Sequence, residues 1–182
     1  MLSSHRRTGD WFQTFTGVQF YPTEPRPEDF LIEDIAHALS HLCRFNGHTR
    51  HFYSVAQHSI LVSEIVPPEF ALEGLLHDAA EAYIGDMVRP AKVAMPDFQR
   101  IEKLIEEALA QAFGLRYPWP VEVKKADDRL LATERRDLLT VQRPWTFRAE
   151  PLETRIDPYP SGLAKVLFIS RYKQLKGEIS DR

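Results

Sequence analysis

His77 and Asp78 stand side by side in LLHDAAEAYIGD, residues 75 to 86, a run whose leucines and alanines otherwise have the composition of a buried helix. On a helix, Glu81 lies four residues after His77 and three after Asp78, so the three share one flank. Leu72, Leu75, Leu76, Ala79, Ala80 and Tyr83 supply the packing face. Ionisable groups at the edge of an apolar face lose hydration and need partners. Two other stretches offer them. In YSVAQHSILVSEIVPP, His58 follows Val55 by three and precedes Val62 by four, on the apolar stripe. In EVKKADDRLLATERRDLL, Asp127 falls four after Val123 and three before Leu130, while Asp128 is turned about a hundred degrees away. His58, His77, Asp78 and Asp127 then form an N₂O₂ set suited to a divalent cation: Mn, Fe, Co, Ni or Zn, or Mg with more water. Such an ion compensates both carboxylates and takes neutral imidazole, which removes the cost of burying them. A single buried His or Asp is more often a hydrogen-bonded core residue; the convergence of four reverses that preference.

The remaining histidines carry weaker signals. His37 and His41 have metal-ligand spacing, but His41 falls beside Arg44 on a flank open to water, and the pair reads better as surface. His48 and His51 lie in FNGHTRHF, a glycine-containing turn; His51 is the better ligand-contacting candidate because the turn leads into the helix of His58.

These residues must be positioned by helices. PRPEDFLIEDIAHALSHLCRF opens with prolines and acids and continues with apolar residues three and four apart. Ser54 and Gln57 form a capping box for the next helix, which Pro67 and Pro68 end. A third helix is expected from about Pro68 to Ala82 or Ile84, stopped by Gly85. PDFQRIEKLIEEALAQAFGL gives a fourth, with Asp97 as cap and Gly114 as stop, and the stretch around Asp127 a fifth. Residues 143 to 162 hold four prolines and no period, a long connection before a last helix from Ser161. WFQTFTGVQFYP is aromatic and β-prone and predicts a short N-terminal β-hairpin around Thr16 and Gly17. The expected fold is all-α, a helical bundle forming a single domain over residues 1 to 182.

Composition narrows the partners. With 43% hydrophobic and 27% charged residues the chain can bury a sizeable core. A net charge of −3 argues against a broad nucleic-acid surface. The lone Cys43 excludes an internal disulfide, and neither a signal-peptide-like start nor a membrane span is read, so no membrane partner and a cytoplasmic location are expected. Structural zinc sites usually use cysteine, which disfavours a purely structural metal.

VAQHS, LLHDAAEAYIGD and VKKADDRLL, in that order, resemble the H…HD…D signature of the HD superfamily of metal-dependent phosphohydrolases, over about residues 30 to 140. Within it the chain looks similar to the small bacterial 5′-deoxyribonucleotidases and the phage dATP triphosphohydrolases, and its lead-in is closer to the latter. The resemblance implies that His58, His77, Asp78 and Asp127 hold the metal and that Glu81 and Asp86 act around the nucleophilic water, without choosing between them for proton transfer. It implies that Arg44 meets phosphate, that Phe45 borders the nucleoside, and that Lys92 meets phosphate oxygens; Arg89 is a further candidate cation. The stretch between Arg44 and His58 departs from the nucleotidases, and Gly47 offers no side chain to wall off a base.

The expected activity is therefore metal-dependent hydrolysis of the 5′-phosphates of deoxynucleotides. A dNTP such as dATP is favoured, giving deoxynucleoside and triphosphate or successive phosphates. A dNMP-specific 5′-deoxyribonucleotidase is the alternative, and a non-catalytic nucleotide-binding module the alternative of another class. The resemblance is also the one reason to expect a homo-oligomer.

Overall fold

The computed structural model describes residue 7, residues 9 to 146 and residues 149 to 178. The architecture is mainly α-helical, with a small N-terminal hairpin. β1 (Phe12–Gln13) pairs antiparallel with β2 (Gln19–Phe20), Phe12 opposite Phe20. Gly17 takes the positive φ of 99° that the connecting turn requires. Eight α-helices follow among the described residues: α1 (Ile32–His41), α2 (Val55–Ile65), α3 (Ala71–Leu76), α4 (Glu81–Ile84), α5 (Arg89–Val93), α6 (Pro96–Phe113), α7 (Val121–Leu138) and α8 (Ser161–Leu175). None is long and apolar enough to cross a membrane.

The apolar stripes read from the sequence form the core. Ile35, Leu39, Val55, Leu75, Leu76, Ile105, Leu109 and Phe168 are fully buried in one cluster; Val62, Val123, Ala126 and Leu130 form a second, between α2 and α7. The hairpin is tied down by Asp34, which accepts from Thr14 Oγ1 (2.8 Å), Thr16 N (2.7 Å) and Thr16 Oγ1 (2.8 Å). Helix α3 packs closely on α2 because residue 74 is glycine. A Cβ there would lie 3.1 Å from both Ser63 Cα and Val66 Cγ2. This approach brings the rings of His58 and His77 to a centroid separation of 5.4 Å.

Two expectations about helix boundaries need correction. The helix expected from Pro68 to Ile84 is broken into a 3₁₀ turn (Pro68–Phe70), α3 and α4. Between the two α-helices the backbone bonds run over three residues: Ala79 N to Leu76 O, Glu81 N to Asp78 O and Tyr83 N to Ala80 O. The break falls where His77 Nδ1 donates to Gly74 O (2.9 Å), the carbonyl that Asp78 N–H would use in an unbroken α-helix. The N-cap of α6 is Met95, not Asp97; Pro96 takes the first helical position, where its missing N–H costs nothing, and Asp97 sits in the first turn. The short helix α5 forms in a stretch for which the sequence pattern predicts no element.

Ser54 caps α2 as expected, accepting from Gln57 N at 3.1 Å. Gln57 does not complete the box with its side chain. It donates to Asp157 O and accepts from Tyr159 N, both at 2.8 Å, and so pins the proline-rich connection against α2. Residues 147 and 148 of that connection lie outside the described residues.

Candidate metal centre

His58 enters from the middle of α2 with no exposed surface. His77 ends α3, and Asp127 projects from α7. Ligand atoms of these three all lie within 4.8 Å of one another. Asp78 adjoins both histidines: Oδ2 is 3.4 Å from His58 Nε2 and Oδ1 is 3.3 Å from His77 Nε2. Asp127 Oδ1 is also 3.4 Å from His58 Nε2. Despite these short separations, neither buried Nε2 has the geometry of a hydrogen bond to any group.

The tautomers follow from the other ring nitrogens. His58 Nδ1 faces Glu134 Oε1 at 2.7 Å, and His77 Nδ1 faces a backbone carbonyl. Both partners only accept, so each Nδ1 donates and each neutral ring presents the Nε2 lone pair to the shared space. Two orphaned lone pairs beside two carboxylates fit a borderline divalent cation and fit little else at this depth. The fold and this cluster together define a mainly α-helical protein with a group able to hold a metal ion.

Without metal, the centre is electrostatically tense. Burial and Arg44 oppose protonation of His58, but Glu134 and Asp127 outweigh them, and its pKa is pushed up to about 9. Burial works against ionised Asp127 as well, yet its contacts with His58 hold it below the ordinary carboxylate range. Glu81 is buried and its Oε2 unpartnered. Burial, then Asp78 and Asp86, raise its pKa well above the usual carboxylate value. Asp86 is raised mainly by burial, against the pull of Arg44.

Arg44 is brought to this group with its guanidinium largely buried. Nη2 donates to Glu134 Oε2 at 3.1 Å and Nη1 lies 3.6 Å from Asp78 Oδ2, so its partner is Glu134. Phe45 follows, 5.6 Å from the guanidinium by ring centroid. Phe45, Asn46 and Gly47 run consecutively through left-handed backbone (φ 54°, 50° and 79°). That conformation is free for glycine but costs a residue such as Phe45 on the order of 1 kcal/mol.

The other candidates separate. Lys92 is bonded to Glu102 Oε1 at 2.6 Å, while remaining near enough to Glu81 to oppose the rise in its pKa. Arg89 and His51 are exposed, and neither side chain has a hydrogen bond or ion pair to the centre. Asp128 pairs with Lys124, which also lies 3.6 Å from Asp127 Oδ2, and Asp128 is not among the residues whose ligand atoms converge with the two histidines. His37 and His41 use their Nδ1 atoms on Lys165 (3.2 Å) and on the His37 carbonyl (2.8 Å).

Glu134 was not legible as a site residue. It has no exposed surface and joins His58 to Arg44. Its signal lay in its position seven after Asp127, two turns along the same face, hidden within the charged run ERRD.

No family model matches the chain. It is 48% identical over 128 residues to the uncharacterised protein YfdR of Escherichia coli K12, an alignment spanning 70% of this chain and 72% of YfdR. It is 36% identical over 126 residues to an uncharacterised protein of Rhodobacter capsulatus, spanning 64% of each. The chain belongs to the same family as YfdR.

Proposed function

We propose that the chain is a metal-dependent phosphohydrolase of the HD type, acting on the 5′-phosphates of deoxynucleotides, with a dNTP as first substrate. One observation carries the reading: two buried histidines, each with Nδ1–H donated away, aim free Nε2 lone pairs at a space bordered by Asp78 and Asp127. When bound, a divalent cation there supplies a Lewis acid for phosphorus and lowers the pKa of a water. Glu81, one short turn from His77 and Asp78, orients that water and holds its proton. Burial and the neighbouring Asp78 and Asp86 raise the Glu81 pKa, which favours its taking up a proton. Asp86 shares this field and is the second candidate for the proton. Arg44 neutralises charge developing on the non-bridging oxygens.

The dNMP reading is favoured by a specific observation: of the three cations expected to meet phosphate, Lys92 is committed to Glu102 and Arg89 is exposed, so Arg44 alone of them pairs with carboxylates of the centre. The deciding experiment reloads metal-stripped protein with Mn, Co, Zn or Mg and offers each dNMP and dNTP separately. Deoxynucleoside with triphosphate or successive phosphates from dNTPs supports the first reading. Phosphate from dNMPs alone supports the second. No product from any pairing refutes both and leaves a nucleotide-binding module.

A further inference from the structure

The carboxylate of Glu134 is fully buried and its two oxygens are divided between two donors of different kinds. Oε1 takes the proton of His58 Nδ1 at 2.7 Å; Oε2 takes Arg44 Nη2 at 3.1 Å. Arg44 reaches on to Asp78, and Asp78 returns to His58 Nε2, so the four side chains close a ring around the candidate metal position. Among the described residues His58 Nδ1 has no other hydrogen-bond partner and Arg44 Nε has none, so Glu134 is the acceptor that both side chains share.

We propose that Glu134 is the positioning residue of the centre. With a single carboxylate it fixes the His58 tautomer that leaves Nε2 free for metal and directs Arg44 over Asp78, so that histidine and arginine cannot be set independently. This rests on the reading of the cluster as a metal centre. Chemistry makes the coupling sharp. A carboxylate offers an acceptor on each oxygen, whereas the amide of a glutamine has one acceptor and one donor end. In Glu134→Gln, either the amide oxygen faces His58 and its NH₂ opposes Arg44, or the oxygen faces Arg44 and the NH₂ requires a lone pair on His58 Nδ1. The second arrangement moves the ring proton to Nε2 and blocks the metal.

Because Arg44 competes for the one acceptor, removing it releases that acceptor to His58. The test is Mn²⁺ affinity by calorimetry under argon at pH 8.5, the same for every variant. Glu134→Gln is expected to weaken Mn²⁺ binding about 10- to 100-fold. Glu134→Asp, which keeps both acceptors on a shorter arm, should fall between it and the wild type. The double variant Arg44→Met/Glu134→Gln should recover to within a few-fold of the wild type. A Glu134→Gln protein binding Mn²⁺ as the wild type does, or a double variant no better than Glu134→Gln, overturns the proposal. Should Glu134→Gln not fold, the double variant asks the same question, and loss of Mn²⁺ from a folded double variant overturns it. The titration contains no nucleotide. A protein that shows this pattern yet hydrolyses nothing refutes the proposed activity and leaves the role of Glu134 intact.

Discussion

Metal binding at this centre should release a proton, and the pH at which it does so follows from the surroundings of His58. In the metal-free protein the ring titrates at about 9. A cation needs the Nε2 lone pair, so at lower pH it must displace a proton from that ring. Each pH unit below the His58 value costs a factor of about ten in affinity, which amounts to about a hundredfold at pH 7. Calorimetric titration of Mn²⁺ under argon, in buffers of different ionisation enthalpy, should give close to one proton released per ion at pH 7. Affinity should rise about tenfold per unit from pH 7 to pH 8.5. Flat affinity over that range with no proton release would show that His58 Nε2 is not a ligand, or that Glu134 and Asp127 do not raise its pKa; either result refutes the reasoning.

The same shift has the opposite sense for stability without metal. The folded His58 pKa lies above its unfolded value, so about 3 kcal/mol of stabilisation is present below pH 6.5 and is lost as pH rises through about 9; a metal-free melting temperature that does not fall over that interval argues against it. Asp127→Ala should abolish Mn²⁺ binding while Asp128→Ala leaves it within about twofold, since Asp128 faces Lys124; equal losses by calorimetry would contradict the assignment of faces. Glu81→Gln should retain metal and lower turnover about 10²- to 10⁴-fold, whereas an unchanged rate would transfer the proton to Asp86. Arg44→Ala should raise KM and also destabilise the fold by about 3–5 kcal/mol, because it strands buried Glu134; unfolding in urea at wild-type denaturant concentration would count against that pairing. Gly74→Ala should cost about 1–3 kcal/mol by pushing α3 from the Ser63 backbone, and a neutral effect on melting would mean that this crossing is loose.

The faces of α2 and α7 were legible because apolar spacing alone fixes which way His58 and Asp127 point. The hairpin, the stop at Gly114 and the start of α8 follow from equally local chemistry. What was not legible depends on side chains reaching across the fold. The break after Leu76 is tied to the bond from His77 to Gly74 O, which no periodicity encodes. The burial of Glu134 depends on α2 and Arg44 closing over a run that otherwise has the composition of a solvated helix end. The bond from Lys92 to Glu102, ten residues on, is likewise a contact that no spacing encodes.

The chain leaves α1 and enters α2 through a narrow neck. Val55 N bonds Leu42 O, Cys43 bridges Ser54, and Arg44 N bonds Tyr53 O at 2.9 Å. Residues 45 to 52 lie outside that neck, tied to the end of α7 by Arg50 N to Leu138 O at 2.9 Å; they begin beside the guanidinium and end six residues before His58. Surface excursions closed at the base tolerate exchange of length and composition. A lineage carrying this neck can therefore rewrite the wall beside His58, His77 and Asp127 while leaving the three residues untouched.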